Sequence, residues 1–299
     1  MFEWKINEHR FYIREVRGEA EFHAIEDLQK EAWSFSDLDI VPAATLIATQ
    51  HAGGILLGAF EDGLMIGFAY AFPAFEEGRT SMHSHMLAVK PEYRNFQAGF
   101  YLKLAQRERT IESGLDEITW TFDPLQSLNA HLNFTKLGVI SNRYIVNFYG
   151  EETSSPLHQG FGTDRLWVRW LLNSDRVKQR ISEQRSVHSI DSAARRRSVL
   201  SGPSARLEDA SILEAALVYS EDARPRLAEF ESRLSSATST IEIPHNINAL
   251  KEREPKLGTE WREATRAAFL AAMNAGLVVE DLLRVECDPF PRWFYLLRR

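Results

Sequence analysis

The residues best suited to chemistry gather between His83 and Gly138 of a 299-residue chain. His83-Ser84-His85 sets two imidazoles and a hydroxyl within three positions. Imidazole is the side chain that exchanges a proton near neutral pH. A second group, Arg94-Asn95-Phe96-Gln97-Ala98-Gly99, follows a proline by three residues. A third runs from Ser127 through Asn129, Asn133 and Phe134 to Lys136-Leu137-Gly138. His51, His131 and His158 stand alone, without the spacing of metal ligands, so no metal is assigned. Cys287 is the single cysteine, which excludes an internal disulfide framework and any multi-cysteine zinc site.

The elements that must position these residues are legible around them. His83–Val89 reads as a strand, ended by Pro91, which cannot donate to a ladder. A turn over Glu92–Gln97 feeds a helix at Ala98–Ser113, with Phe100, Leu104 and Ile111 on one stripe. Gly114 stops that helix, Asp116–Phe122 reads as a second strand, and a helix over Leu125–Leu137 closes on Gly138. The result is a βαβα unit with a parallel strand pair, and ligands bind where such strands end at their carboxyl side.

Upstream, the pattern predicts a strand at Phe11–Val16, helices at Glu19–Ala32 and Ala43–Gln50, and a hairpin of Ile55–Phe60 with Leu64–Phe72. Downstream, strands are expected at Val139–Tyr149 and Arg165–Leu171. Residues 1–173 thus read as an α+β domain with a mixed sheet covered by helices. Residues 174–206 read as a basic linker, and 207–299 as a C-terminal α+β extension. In that extension Leu207–Leu234 looks helical and Ile241–Ile243 looks like a strand. Thr259 is expected to cap a helix over Glu260–Ala275, and Leu277–Val285 pairs with Trp293–Leu297. Trp261, Trp293 and Phe294 imply that the extension packs on the first domain or on a second subunit, as in a homodimer.

Composition narrows the class. Hydrophobic and charged contents of 44% and 26% suit a globular protein, and no apolar run suggests a membrane partner. The N-terminal residues lack the layout of a signal peptide, so a cytoplasmic location is expected. A net charge of −7 gives no general reason to expect nucleic acid. The exception is Asp175–Arg206, where eight basic residues face three acidic ones. No aromatic interleaves the arginines as a single-strand binder would require, so a solvated basic face is the expectation.

The blocks together resemble the GNAT superfamily of acyl-CoA-dependent N-acyltransferases. Arg94–Gly99 resembles its Arg/Gln-x-x-Gly-x-Gly/Ala loop, with Gln97 where the first glycine usually stands. Ser127–Gly138 resembles its closing motif, Asn-x-x-Ala-x-x-Leu/Phe-Tyr-x-Lys-Leu-Gly-Phe. Ala130, Lys136, Leu137 and Gly138 match in register, while Ser127 replaces the asparagine and Phe134 the tyrosine. Trp120–Leu125, Gly162–Val168, Ile241–Pro244 and Trp261–Arg266 look like a less characterised branch that includes proteins associated with N-acylation, succinylation among them, of amino acids.

The resemblance implies a GNAT-like fold and an N-acyltransferase that moves an acyl group from acetyl- or succinyl-CoA to the amine of a small molecule, such as an amino acid. Backbone N–H groups over Arg94, Asn95, Phe96, Gln97, Ala98 and Gly99 would meet the coenzyme A pyrophosphate. The backbone of Leu87, Ala88 and Val89 would polarise the thioester carbonyl. Ser127, Asn129, Asn133 and Phe134 would complete the coenzyme A site. The family base sits a few residues before Leu87, at His83, Ser84 or His85; His85 is the choice here, because imidazole titrates near neutrality, and strand alternation would set His83 on the same face unless a bulge breaks it. Phe134 cannot protonate the leaving thiolate, which turns attention to water, Tyr93 or Tyr144. Asp123, Arg143, Asp164 and Arg165 are candidates for holding the acceptor, against a turn and surface ion pairs as their ordinary roles. Two further readings are a peptide or protein N-acetyltransferase and a catalytically weak acyl-CoA-binding regulator.

Overall fold

The computed structural model describes residues 2–150, 161–188, 238–286 and 291–299. The chain divides into two compact units at Trp120/Thr121. The boundary between these units falls inside a strand. Leu207–Leu234 and Cys287 lie outside the described residues.

The first unit carries β1 (Phe2–Ile6), β2 (His9–Glu15), α1 (Glu19–Trp33), α2 (Ala43–His51), β3 (Ile55–Glu61), β4 (Leu64–Glu76), β5 (Arg79–Val89), a 3-10 turn (Pro91–Phe96), α3 (Ala98–Glu112) and β6 (Glu117–Phe122), which leads into the second unit. β1 to β5 pair antiparallel in chain order, and β6 joins β5 in parallel. β1 was not expected; Phe2, Trp4 and Ile6 alternate, and Asn7 turns the hairpin with φ 55°. One core forms where Phe22, Ile25 and Leu28 of α1 and Leu46 of α2 meet Leu56, Phe60, Phe68 and Tyr70 of the sheet. α3 buries Phe100, Leu102 and Leu104, together with the charged-type Lys103.

The second unit carries α4, β7 (Ile140–Ile145), β8 (Arg165–Leu171), α5 (Asp175–His188), β9 (Thr238–Ile243), α6 (Ile247–Arg253), α7 (Pro255–Asn274), β10 (Val278–Val285) and β11 (Arg292–Arg298). α4 is α-helical over Ser127–Ala130 and π-helical over His131–Leu137. β7 pairs with β8 and β10, and β11 lies between β10 and β9, all antiparallel. Two expectations change. The start of the supposed linker, Asp175–His188, is a helix whose Val177 and Ile181 are buried. Thr259 lies inside α7, not at its cap, and its hydroxyl donates back to Pro255 O at 3.3 Å. α7 begins instead on Pro255, whose missing N–H costs nothing in a first turn. α6 was not expected, although Asn246 caps it by accepting from Ala249 N.

Candidate functional site

In the first unit, β5 carries the features that set up a site. Its register with β4 runs Ala71↔Ser84 and then Tyr70↔Met86, so His85 is the extra residue of a β-bulge. Its register with β6 covers Met82↔Ile118 and His83↔Thr119. β5 continues six residues beyond that last pair, to Val89, so the parallel strands part just where the bulge begins. A bulge bends its strand and re-aims a side chain, which accounts for both features together.

His85 is half-buried among rings. Tyr70 lies 5.9 Å, Phe72 5.7 Å and His83 6.4 Å from its centroid. Burial lowers its pKa below the ordinary 6.5, which keeps the imidazole neutral and able to accept a proton near pH 7. His83 is buried, with Nδ1 3.0 Å from Thr119 Oγ1. Burial first, then the charges of His85 and Lys103, pull its pKa down to about 4. Tyr70 anchors this face to α2 through a 3.0 Å bond to Thr49 Oγ1.

Ser84 points the other way, toward α3. Lys103 Nζ donates to Ser84 Oγ at 2.7 Å, lies 3.4 Å from Gln106 Oε1, and sits 3.7 Å from the Trp120 ring centroid. Lys103 is 4% exposed, and burial pulls its pKa down to about 7. Sequence reasoning missed this lysine, since nothing but its place on the buried stripe of α3 distinguishes it from a surface lysine.

The turn after β5 is held by aromatic packing. Phe96 makes tilted ring contacts with Phe11, His9 and Tyr93, and Trp4 Nε1 donates to Phe96 O at 3.0 Å. Gln97 caps α3 in the left-handed conformation, φ 61° and ψ 18°, which glycine adopts without steric cost. Ala98 and Gly99 begin the helix ahead of its first bond, from Phe100 N to Gln97 O. A Cβ on Gly99 would meet Leu87 Cδ2 at 3.4 Å, an ordinary van der Waals contact. Arg94 and Asn95 are exposed; Arg94 Nε is 3.4 Å from Val89 O. Leu87 is partly exposed, whereas Ala88 and Val89 are buried.

In the second unit the closing motif is built into the core. Ser127 Oγ donates to His245 O at 2.7 Å. Phe134 is fully buried, 6.2 Å from Phe122 and 5.5 Å from Tyr295. Asn133 is buried and Asn129 exposed. Ser127 thus serves as a hydrogen-bond donor to a backbone carbonyl, and Phe134 packs in the core.

The four polar candidates for acceptor binding are also engaged. Asp123 Oδ1 accepts from Leu125 N at 2.9 Å, and Oδ2 accepts from Arg262 Nη2 at 2.8 Å. Asp164 takes both Arg266 Nε and Nη2, at 2.7 and 2.9 Å, and the Tyr144 hydroxyl at 2.6 Å. Arg165 is buried, with its guanidinium 5.2 Å from the Tyr149 ring and donating to Asp164 O. Arg143 lies over Trp167. In the basic segment, Arg176 donates to Glu280 O and Arg180 pairs with Asp281, so these two arginines serve the fold.

No family model and no curated protein matches the sequence. Among solved structures, the ribosomal-protein-S18-alanine N-acetyltransferase of Escherichia coli is similar over 55% of this chain and 95% of its own, at 15% identity and a TM-score of 0.44. An acetyltransferase of the GNAT family from Streptococcus pneumoniae is similar over 53% of this chain and 98% of its own, at 17% identity and 0.42. Aminoglycoside 6'-acetyltransferase type Ii matches over 55% and 97%, at 18% and 0.44. Among the described residues no helix is long and apolar enough to cross a membrane.

Proposed function

We infer that the chain is an acyl-CoA-dependent N-acyltransferase acting on a small amine, with an amino acid as the leading acceptor class and acetyl- or succinyl-CoA as donor. The observation that carries this reading is the parting of β5 and β6 after His83↔Thr119, with a bulge at His85 and a left-handed turn at Gln97 opening α3. A strand edge of this kind offers backbone N–H groups to a thioester oxygen. The α3 N-terminus offers backbone N–H groups to a pyrophosphate.

In the reaction, the acceptor nitrogen attacks the thioester carbon and His85 takes the proton it sheds. An α-amino group has an ordinary pKa of about 8, so the demand on this base is modest. Backbone donors in Leu87–Val89 stabilise the developing oxyanion. Much of the rate then comes from holding two reactants in line.

The buried Phe134 and the engaged Ser127 favour one competing reading, a chain that binds acyl-CoA and transfers its acyl group poorly. Thiol release from acetyl-CoA and succinyl-CoA against an amino-acid panel separates the two. Acceptor-dependent release supports the transferase. Tight acyl-CoA binding with no release supports the regulator and overturns the first reading. A location in the cytoplasm and self-association belong to the same proposal, and fractionation and sedimentation test them.

A further inference from the structure

Acyl transfer moves two protons, and His85 accounts for one. The amine loses a proton, and the departing thiolate must gain one. Phe134 has none to give. The Tyr144 hydroxyl is committed to Asp164, 2.6 Å away. Tyr93 faces Glu61, which raises its pKa and makes its proton harder to release.

The fork between β5 and β6 holds another source. Thr119 is the last β6 residue paired with β5, and the next residue on each strand is Ser84 and Trp120. Lys103 touches both, donating to Ser84 Oγ at 2.7 Å and lying on the face of Trp120. It reaches them from α3, whereas His85 packs against Tyr70 on the side that bonds to α2. The two sides of β5 thus carry one proton acceptor and one proton donor. A thioester threaded through the fork would present its carbonyl to one side and its sulfur to the other.

We propose that Lys103, acting through Ser84 Oγ, supplies the proton taken up by the departing thiolate. This rests on the acyl-transfer reading above. As the C–N bond forms and the C–S bond breaks, the amine proton passes to His85. The Ser84 hydroxyl proton passes to sulfur, and a Lys103 ammonium proton refills Ser84. The products are the amide and free thiol, and solvent returns the lysine and histidine to their starting states.

The surroundings suit a lysine that gives up its proton readily. His83 is the titratable group on β5 that interacts with Lys103, Trp120 is the neighbour on β6, and Gln106 is the polar neighbour on α3. Desolvation alone accounts for the drop of the Lys103 pKa to about 7. The ammonium is then populated near neutrality yet a far stronger acid than a solvated lysine.

The test compares acceptor-dependent thiol release by the wild-type chain, Lys103→Met, Ser84→Ala and Ser84→Thr across pH 5.5–9.5. Each is run with acyl-CoA and with the same acyl group on thionitrobenzoate, whose thiolate leaves without protonation. The expected wild-type rate falls above about pH 7. Lys103→Met and Ser84→Ala should lose about 10²-fold in kcat with acyl-CoA. Lys103→Met should also lose the alkaline limb, and Ser84→Thr should restore most of the Ser84→Ala loss. With the activated thioester, both deficient variants should come within about threefold of wild type, since general-acid help is no longer needed. Ser84→Ala, which removes a single oxygen, carries the comparison if Lys103→Met does not fold. Variants that match wild type with acyl-CoA at every pH overturn the proposal. So do variants equally slow with both thioesters, which would mark a purely structural role. No release by the wild-type chain with any acyl-CoA overturns the acyl-transfer reading itself, and this proposal with it.

Discussion

At the scale of single residues, the β5 bulge decides what each imidazole can do. His85 keeps ring contacts and a partly exposed position, whereas His83 is buried against Thr119. Replacing His85 with alanine should lower kcat by about 10²- to 10⁴-fold while leaving acyl-CoA affinity within about twofold, the signature of a lost base. On the acid side, wild-type kcat should hold to below pH 6.5 and then fall as His85 protonates, because desolvation lowers its pKa. An unchanged rate in His85→Ala would remove it from the mechanism. His83 predicts a different pH effect, on stability. Its folded pKa of about 4 lies below the unfolded 6.5, so the unfolded chain binds the proton more readily. The stability this group contributes is complete above pH 6.5 and is lost progressively as pH falls to about 4. The loss is on the order of 3 kcal/mol. Urea denaturation of wild type and His83→Asn between pH 7 and 4 measures it; equal slopes for the two would contradict the burial argument.

At the scale of elements, the turn between β5 and α3 combines firm anchoring with local strain. Phe96 is locked among rings and by Trp4, while the next residue, Gln97, is held at φ 61°. A side chain in the left-handed region costs about 1 kcal/mol relative to glycine. Gln97→Gly should therefore raise stability by about that much, minus the added unfolded-state entropy, and should leave thiol release intact. Gln97→Ala should bring no such gain. Thermal melts of the two variants, read side by side, separate backbone relief from loss of the glutamine side chain. The expected helix stripe on α3 also proves richer than its apolar members, since the same face buries Lys103, Gln106 and Thr110.

At the scale of the whole molecule, the chain after Trp120 builds its own core around α4 and α7. Phe134, Tyr295, Phe269 and Tyr144 form a chain of ring contacts, each 5.2–5.5 Å apart. The ion pair of Arg262 with Asp123 lies inside the same unit, and both partners are almost wholly buried. Burial opposes the Arg262 charge and leaves Nε and Nη1 without hydrogen-bond partners, yet Asp123, Tyr144 and Asp164 outweigh that cost and raise its pKa. Arg262→Met alone should destabilise by about 3–5 kcal/mol, because it strands the Asp123 carboxylate. Arg262→Met with Asp123→Asn should recover most of that loss. A double-mutant cycle in urea reads the coupling, and additive single effects would show that the pair is not a unit.

The sequence by itself determined most strands and helices of both units, because apolar periodicity and glycine or proline stops are local signals. It also marked the Arg94–Gly99 loop, the His83-Ser84-His85 triplet and the departures at Gln97, Ser127 and Phe134. β1 and α6 escaped notice because short elements show little periodicity, and α5 was hidden by a charge run that resembles a linker. Only tertiary structure decided the chemistry of the triplet. The bulge at His85 depends on register between β4 and β5, and the end of β5–β6 pairing depends on two strands separated by a helix. Lys103 escaped notice for the same reason: its burial, which lowers its pKa, and its partners Ser84 and Trp120 come from tertiary packing that no spacing along the chain reveals. Phe134, legible only as a missing tyrosine, became a core residue once Tyr295, far along the chain, folded over it.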